Sequence, residues 1–291
     1  MNLFVKNLTV IDSSYLCEKR GMVGDSWIVD VSLTGDLNEM SMILDFGKVK
    51  KIIKELIDEH VDHKLIVPAS NPNIEYSETQ SGYTKLGFLR GEQTLHLNCP
   101  NSAYCFIETS EIDNLALTAH IYQVLKQYLP NNVSDIDITL RHEDIKEHYY
   151  HYTHGLKKHD GNCQRIAHGH RSTLEIYVND ERDSKREEDF CERWKDIYLG
   201  SQEDKVSIAS LDFIAQEDLV SDDSHYAFMY STSQGDYELI ISKEVTEIID
   251  TDTTVELLAQ FIQKEVKKTL NSEDSLSVVA YEGVGKGAKV F

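Results

Sequence analysis

The sequence has no long apolar segment: none of its windows approaches the roughly 18–20 consecutive apolar residues that a membrane-spanning helix needs. Its first residues also show no charged leader followed by an apolar stretch and a small-residue cleavage site, the features that mark an export signal. We therefore expect neither membrane insertion nor export, and the sequence predicts a cytoplasmic protein.

Cysteine is scarce and odd in number, with five residues among 291. Disulfide frameworks of secreted proteins are dense and even-numbered, so these scattered residues predict reduced thiols in a cytosolic compartment. A chain of this length can bury one large core or two cores of roughly 140 residues each, and it needs no cross-links to fold. The five residues are Cys17, Cys99, Cys105, Cys163 and Cys191.

Basic side chains are also in short supply. The 29 lysines and arginines face 50 aspartates and glutamates, which gives a formal charge of −21. A surface this acidic repels a phosphate backbone, so we expect no nucleic-acid partner. A small anionic substrate is compatible with this charge only where basic residues gather locally at its pocket.

Periodic apolar positions in the first half predict strands and two helices. Residues 3–11 and 27–33 alternate apolar and polar side chains, as half-buried antiparallel strands do. After a helix and a polar region, residues 112–129 predict a second helix and residues 136–140 another strand. The earlier helix covers residues 45–63 and places these apolar side chains on one face: Phe46, Val49, Ile52, Ile53, Leu56 and Ile57.

The same order of elements returns in the second half. A strand ends near His154, another covers residues 174–178, and a helix is expected to begin at Asp189-Phe190. A further helix covers residues 253–266, and a closing strand covers residues 276–281. A repeat this long favours duplication of a whole domain over a solenoid. The alternative is a chance similarity between two α+β domains.

Histidines crowd into one short stretch of the chain, where seven of the twelve fall between His142 and His170. His168 and His170 enter a strand as a His-x-His pair, so both imidazoles point to the same face. His154 on the neighbouring strand can complete a three-histidine facet. Three neutral imidazoles with an open fourth position suit catalytic zinc. The alternative is a set of solvated loop histidines.

Cys163 lies five residues before His168 in the sequence, close enough to share its pocket. A metal and nearby cations favour the thiolate form of a cysteine, which is the nucleophile and the base. The alternative for Cys163 is an ordinary small core residue.

These residues resemble a motif of the 6-pyruvoyltetrahydropterin synthase and 6-carboxytetrahydropterin synthase family, whose units have the tunnelling fold (T-fold). In that family a strand ends in a histidine followed by a basic residue and leucine, a cysteine comes next, and His-Gly-His opens the second strand. Glycine stands here in place of the basic residue. The similar residues are His154-Gly155-Leu156, Cys163 and His168-Gly169-His170.

The resemblance implies an α+β fold of two tandem T-fold units, each a four-stranded antiparallel sheet with two helices on one face. Residues 1–145 would form a degenerate unit without metal ligands, and residues 146–291 a metal-binding unit. The segment 179–250 looks longer and more acidic than its counterpart, so we expect part of it to be an acidic insertion. Because isolated T-fold sheets leave unpaired edges, we expect a homo-oligomer that closes into a barrel.

The resemblance also assigns roles outside the histidine cluster. Glu282, on the last strand, is implied as the anchor of a pterin ring, and Thr251, before the last helix, as a second pterin contact. The alternative for Glu282 is an exposed strand glutamate. In the family an Asp-His pair after the first helix relays protons, and Asp62-His63 in the first half is similar to it. The alternative for that pair is a helix terminus without a role.

Each half lacks the site residues that the other half keeps. Counting from Asp189, the second half offers no Asp-His pair near residues 205–207. In the first half, Ser14 stands in place of the strand-end histidine, and residues 23–25 stand in place of His-Gly-His. His142 stands in place of the glutamate, and Lys19 or a neighbour in place of the cysteine. No zinc site can be built from those residue types, so the two halves are expected to divide one site between them.

By resemblance, the chain is a zinc-dependent lyase that acts on a dihydropterin triphosphate. The favoured product is 6-carboxy-5,6,7,8-tetrahydropterin, formed from 7,8-dihydroneopterin triphosphate on the way to queuosine. The alternatives are 6-pyruvoyltetrahydropterin synthase, another dihydropterin side-chain lyase or epimerase, and a non-catalytic pterin-binding paralogue. The basic residues nearest the motif, which could hold the triphosphate, are Lys157, Lys158, Arg165 and Arg171.

Overall fold

A computed structural model gives the fold, and it describes residues 1–211 and 220–291. The first half contains the helices α1 (Phe46–His60) and α2 (Asn114–Lys126). Its strands, in chain order, are β1 (Asn2–Cys17), β2 (Gly21–Gly35), β3 (Leu65–Pro68), β4 (Ile74–Glu78), β5 (Tyr83–Phe88), β6 (Leu95–Pro100), β7 (Tyr104–Ile107) and β8 (Val133–Arg141).

The second half repeats this order. Its described residues form the helices α3 (Ser184–Arg193) and α4 (Val255–Lys267). Its strands are β9 (Tyr149–His154), β10 (His168–Val178), β11 (Glu181–Arg182), β12 (Ile197–Ser201), β13 (Lys205–Val206), β14 (His225–Thr232), β15 (Gly235–Ser242), β16 (Thr246–Ile249), β17 (Leu276–Tyr281) and β18 (Gly287–Val290).

Three of the four predicted helices lie within a few residues of their expected positions. Asp45 and Asp113 cap α1 and α2, each accepting a hydrogen bond from a first-turn backbone N–H. The predicted start of the third helix at Asp189-Phe190 is wrong, because Asp183 caps α3 through the Arg186 N–H and the helix begins at Ser184. No helix of the described residues is long and apolar enough to cross a membrane.

Each pair of helices packs on the sheet of its own half. The buried face of α1 joins α2, β1, β2 and β8 in one apolar core. The faces of α3 and α4 form the equivalent core with β9, β10 and β17. Each fully buried large aliphatic side chain stabilises the fold by roughly 1.5–3 kcal/mol. In α1 the buried residues are Val49, Ile53, Leu56 and Ile57.

The described strands form three sheets. The first has the order β7-β3-β1-β2-β8, the second β16-β12-β9-β10-β17-β18 with β11 beside β10, and the third β13-β14-β15-β6-β5-β4. The expectation of a four-stranded, purely antiparallel sheet in each unit is wrong, since β3 runs parallel to β1 and β12 parallel to β9. Helix α1 connects the end of β2 to the start of β3. Strand β3 begins beside Ser14 of β1 and runs in the same direction as β1.

The third sheet, which the sequence pattern does not predict, joins the two halves. Strand β15 of the second half pairs antiparallel with β6 of the first, with Leu239 opposite Leu97. Both halves contribute buried side chains to the core beneath it. The two halves therefore share a continuous sheet as well as a chain connection.

The segment 179–250 consists largely of elements that have first-half counterparts. Helix α3 takes the place of α1, β12 that of β3, the hairpin β14-β15 that of β5-β6, and β16 that of β7. The structure therefore accounts for this segment without the expected insertion. Residues 212–219 of the segment lie outside the described residues.

The first and second sheets touch where two glycines meet. A Cβ on Gly24 would lie 1.8 Å from the backbone oxygen of Tyr152, and a Cβ on Gly169 would lie 2.5 Å from the Gly24 Cα. Beside them the hydroxyl oxygens of Ser14 and Thr153 are 2.7 Å apart. Only glycine lets the backbones approach this closely, and the approach brings first-half side chains to the edge of the histidine cluster.

Candidate metal centre and acid–base site

The three histidines expected to bind a metal converge on the second sheet. His154 ends β9 and lies opposite His168, the first residue of β10. His170 is two residues further along β10, so its side chain shares a face with that of His168. Their ring centroids are 4.5, 5.2 and 5.5 Å apart in the three pairs. One ring nitrogen from each lies within 4.8 Å of the others, so the cluster could hold a metal ion.

Hydrogen bonds decide which ring nitrogen faces the centre of the cluster. The Nδ1 of His154 donates to the Thr253 carbonyl oxygen, and the Nδ1 of His168 donates to the Arg165 carbonyl oxygen, both over 3.0 Å. Burial, reinforced by the neighbouring imidazoles, holds the pKa of both rings well below the ordinary 6.5. Both are therefore neutral, and each Nε2 carries a free lone pair.

The Nε2 atoms of His154, His168 and His170 are buried and have no hydrogen-bond partner among the described residues. Buried polar atoms normally have partners, so three such nitrogens facing one another are unfavourable unless a cation joins them. Neutral imidazole is a preferred ligand of zinc, and three of them leave a position open for a substrate. The donor set therefore fits a catalytic zinc ion.

The Asp-His pair of the first half lies beside this cluster. The Oδ2 of Asp62 is 2.8 Å from the Nδ1 of His63, and the rings of His63 and His168 have centroids 5.2 Å apart. His63 follows α1 with a positive φ of 56°, a conformation that turns its ring out of the helix direction. Burial alone would lower the pKa of His63, but Asp62 and the Cys163 sulfur raise it to about 10.

Cys163 completes this group. It lies in a short 3₁₀ turn, Asn162–Gln164, within the connection between β9 and β10. Its sulfur and ring nitrogens of His63 and His168 lie within 4.8 Å of one another. The side chain is half-buried, so a small molecule can reach it. The structure thus brings together Cys163, Asp62 and His63, which the sequence assigned to one acid–base group.

Glu282 directly follows β17 and faces the same centre. Its Oε1 lies 3.9 Å from the Nε2 of His170, and its side chain is 23% exposed. Its backbone N–H donates to the Lys286 carbonyl oxygen across a tight turn. The carboxylate is therefore at the mouth of the histidine cluster, within reach of both the cluster and solvent.

Thr251 is not brought to the cluster in the same way. Its side chain is exposed, and its hydroxyl donates to the neighbouring Asp252 carbonyl oxygen. Thr253, which the sequence reading missed, is the buried threonine whose carbonyl and hydroxyl oxygens contact the Nδ1 of His154. Its position immediately before the Thr254 cap of α4 is the signal that could have identified it.

Two of the four expected basic residues are paired with acidic neighbours, and a third lies against an aromatic ring. Lys157 pairs with Asp204, and Lys158 lies 2.8 Å from Asp252. The Arg171 guanidinium lies 4.0 Å from the Tyr149 ring centroid.

Arg165 differs from the other expected basic residues because it is buried. It donates to the backbone oxygen of Asp62 over 3.2 Å, and it has no carboxylate partner among the described residues. Of the expected basic residues, it is therefore the one whose charge is available beside the relay pair.

Strand registers correct the expected counterparts in the first half. Ser14 lies opposite Gly24, and Thr153 lies opposite Gly169, so Ser14 matches Thr153 and not His154. The first-half residues at the three histidine positions are therefore Tyr15, Val23 and Asp25. Val23 and Asp25 stand where the sequence placed them, and only Ser14 is replaced, by Tyr15, as the counterpart of His154. Those side chains cannot assemble a zinc site.

The counterpart of the relay pair is also shifted from its expected place near residues 205–207. Asp196, like His63, has a φ of 56° immediately before a parallel strand, so the pair corresponds to Lys195-Asp196. Arg20 lies in the turn that corresponds to the one carrying Cys163. Its Nε and Nη2 donate to Asp196 over 3.0 and 2.5 Å. An ion pair thus closes the place where the second half has its cysteine.

His142 does occupy the position that corresponds to Glu282. The registers β2–β8 and β10–β17 place both residues one position beyond the matching strand ends. His142 Nε2 lies 3.1 Å from the Oδ2 of Asp25.

Comparisons with known proteins give one family. The family model described as 6-pyruvoyl tetrahydropterin synthase matches residues 15–141 and 144–197. A protein of Methanocaldococcus jannaschii, provisionally named as a 6-carboxy-5,6,7,8-tetrahydropterin synthase, is 31% identical over 113 residues. That match covers 38% of this chain and 61% of the relative, so it spans less than two thirds of the relative's length.

Two solved structures are also similar. A 6-pyruvoyl tetrahydropterin synthase from Plasmodium vivax has 15% identity and a TM-score of 0.38, covering 48% of this chain and 97% of that one. The enzyme of the same name from Plasmodium falciparum has 12% identity and a TM-score of 0.39, covering 48% and 90%.

Proposed function

Because the chain belongs to the 6-pyruvoyl tetrahydropterin synthase family, we propose that it is a zinc-dependent lyase of a dihydropterin triphosphate. The observation that supports this most is the meeting of three groups in one place. The three imidazoles of the second half lie beside Cys163 of the same half and beside the Asp62-His63 pair of the first half. A metal ligand set, a thiol and a proton relay together are what the proposed chemistry needs.

In this proposal the zinc ion is held by the Nε2 atoms of His154, His168 and His170. When bound, zinc supplies a Lewis acid that polarises a substrate oxygen. The orphaned state of those nitrogens is the feature of this chain that supports the assignment.

Proton transfer falls to Cys163, His63 and Asp62. The Cys163 thiolate takes a proton from the side-chain carbon of the substrate, and the protonated His63 beside the sulfur returns a proton when the product forms. Asp62 holds the ring of His63 through its Nδ1 over 2.8 Å and keeps it protonated. The raised pKa of His63 supports this role, since its proton is held at neutral pH.

Substrate orientation falls to Glu282. Its carboxylate, at the mouth of the cluster, can accept hydrogen bonds from the ring N–H and the amino group of a pterin, and two such bonds fix the ring plane. Thr251 stays a weaker proposal for the same ring, because its hydroxyl lies on the exposed surface.

The favoured reaction converts 7,8-dihydroneopterin triphosphate and one water molecule to 6-carboxy-5,6,7,8-tetrahydropterin, acetaldehyde and triphosphate, as in queuosine biosynthesis. The provisional name of the archaeal relative supports this product. The family description supports 6-pyruvoyltetrahydropterin as the second candidate.

We also propose that residues 1–145 and 146–291 form the two units and that the chain is a homo-oligomer. Strand β8 has a nine-residue outer edge with no partner strand among the described residues. A long unpaired edge favours pairing with another copy.

Incubation with 7,8-dihydroneopterin triphosphate, followed by mass spectrometry of the products, tests the reaction. We expect the wild-type protein and Cys17→Ala, a half-buried cysteine away from the cluster, to release triphosphate and one pterin product. Cys163→Ala should bind zinc and form no product. Full turnover by Cys163→Ala would remove the cysteine from the mechanism, and absence of any product from the wild type would contradict the proposed reaction.

A further inference from the structure

We propose that Asp12, from the half without metal ligands, is a positioning residue that fixes the orientation and tautomer of His170 for metal binding. The inference rests on the proposed zinc site. It extends that site across the two halves, because the first half would then shape the metal centre itself as well as supply the proton relay.

Each of the three histidines has an oxygen atom close to its Nδ1, but the oxygen beside His170 comes from the other half of the chain. His154 and His168 donate to backbone carbonyl oxygens of their own half. The Nδ1 of His170 instead lies 3.3 Å from the Oδ1 of Asp12, an ion-pair contact without hydrogen-bond geometry, since this nitrogen has no hydrogen-bond partner among the described residues. The negative charge of a carboxylate beside Nδ1 favours the proton on that nitrogen and leaves Nε2 free, which is the tautomer that a metal requires.

Asp12 is held firmly enough to serve this purpose. It is 2% exposed, the Ser26 hydroxyl donates to its Oδ1 over 2.5 Å, and the Lys286 Nζ lies 3.2 Å from its Oδ2. Gly283 packs against it, since a Cβ there would lie 2.5 Å from the Oδ1.

The same residue reaches the proton relay through its backbone. The Asp12 N–H donates to the Oδ1 of Asp62 over 2.7 Å. One strand position of the first half is thus in contact with both the ligand His170 and the relay residue Asp62. A side-chain substitution at Asp12 keeps the backbone contact, so the two roles can be separated.

The repeat provides an internal comparison. The contact between Asp12 and His170 has a counterpart where the first and second sheets meet. There His151 of the second half faces Asp25 of the first, with 3.9 Å between His151 Nδ1 and Asp25 Oδ1. There the aspartate stands at the position that corresponds to His170, and the histidine at the position that corresponds to Asp12. The carboxylate faces inward to a ligand histidine only on the side that has the three-histidine cluster, as a positioning role requires.

Zinc affinity, measured by competition with a chromophoric chelator, tests the inference without reference to turnover. Asp12→Asn keeps the shape and the backbone contact to Asp62, and Asp12→Ala removes the carboxylate. Asp25→Asn is the matched control, since it removes a buried carboxylate that also faces an imidazole. We expect the Asp12 variants to bind zinc about 10–100-fold more weakly and Asp25→Asn to bind within about twofold of wild type, as expected of a change outside the ligand shell.

Cobalt substitution gives a second readout. The visible absorption of Co²⁺ in the site should change in position and intensity in Asp12→Asn and stay the same in Asp25→Asn. Unchanged affinity and an unchanged cobalt spectrum in Asp12→Asn would overturn the inference, as would an equal loss in both variants. If Asp12→Ala does not fold, Asp12→Asn decides. Wild-type protein that binds neither metal would contradict the proposed zinc site itself, which distinguishes that failure from this one.

Discussion

Ser14 and Thr153, one from each half of the chain, lie with their hydroxyl oxygens 2.7 Å apart where the first and second sheets cross. The contact is between corresponding positions of the repeat, so it marks the pseudo-twofold relation of the two halves. Because the sheets meet here, Asp12 and the Asp62-His63 pair of the first half reach the histidines of the second. The divided site is therefore a consequence of how the two sheets pack.

The glycine contact at this crossing is expected to be essential for the fold. In Gly24→Ala the new Cβ would lie 1.8 Å from a backbone oxygen that cannot move aside alone, and we expect a loss of about 3 kcal/mol or a failure to fold. Gly47→Ala, whose nearest neighbour is the flexible Asp45 side chain at 3.2 Å, is the control and should change stability by about 1 kcal/mol or less. Urea unfolding measures both; an unchanged midpoint for Gly24→Ala would be inconsistent with this packing.

Asp62→Asn should impair turnover and spare the metal. The substitution removes the charge that keeps His63 protonated, and loss of such a proton relay lowers kcat by about 100-fold or more. Asp58→Asn, in the last turn of α1 and paired with Lys54 at the surface, should keep wild-type kcat. Steady-state kinetics and zinc analysis on the same samples measure both effects, and equal kcat values for the two variants would exclude the relay role.

Glu282→Gln should weaken substrate binding more than it slows chemistry. Charge-assisted hydrogen bonds to a ring amide and amino group stabilise a complex by about 1.5–3 kcal/mol, so we expect KM to rise about 10–100-fold. Glu273→Gln, an exposed glutamate before β17, removes the same charge away from the site. If both variants keep the wild-type KM, Glu282 is an ordinary strand-end carboxylate.

The Arg20–Asp196 pair should contribute stability and nothing to catalysis. Its two hydrogen bonds close the first-half counterpart of the cysteine site, with side chains 35% and 13% exposed. A double-mutant cycle with Arg20→Ala and Asp196→Ala should give a coupling of about 1–2 kcal/mol at unchanged zinc content and turnover. Loss of turnover in the single variants would show that this place still takes part in the reaction.

The local part of the site could be predicted from the sequence because it depends on strand periodicity. His168 and His170 share a face since they alternate along β10, and His154 lies opposite because the two strands form a hairpin. The Asp62-His63 pair was recognisable from its resemblance to a helix-terminal motif. These predictions needed only neighbours in the chain or one strand away.

The remaining features depend on contacts that the sequence does not display. Asp12 is a lone aspartate in an apolar strand, and its partner His170 is 158 positions away in the other half. The parallel pairing of β3 and the sheet joined by β6 and β15 also form between distant segments. A one-residue shift in aligning the repeat made Ser14 the counterpart of His154, and only the strand registers correct it.

Metal content measured on the purified protein, together with its native mass, tests the division of one site between two halves most directly. The account predicts one zinc ion per chain. That ion should be lost when His168 is replaced by alanine and retained when Asp25 is replaced by asparagine. Two zinc ions per chain, or a zinc ion that persists in His168→Ala, would contradict it.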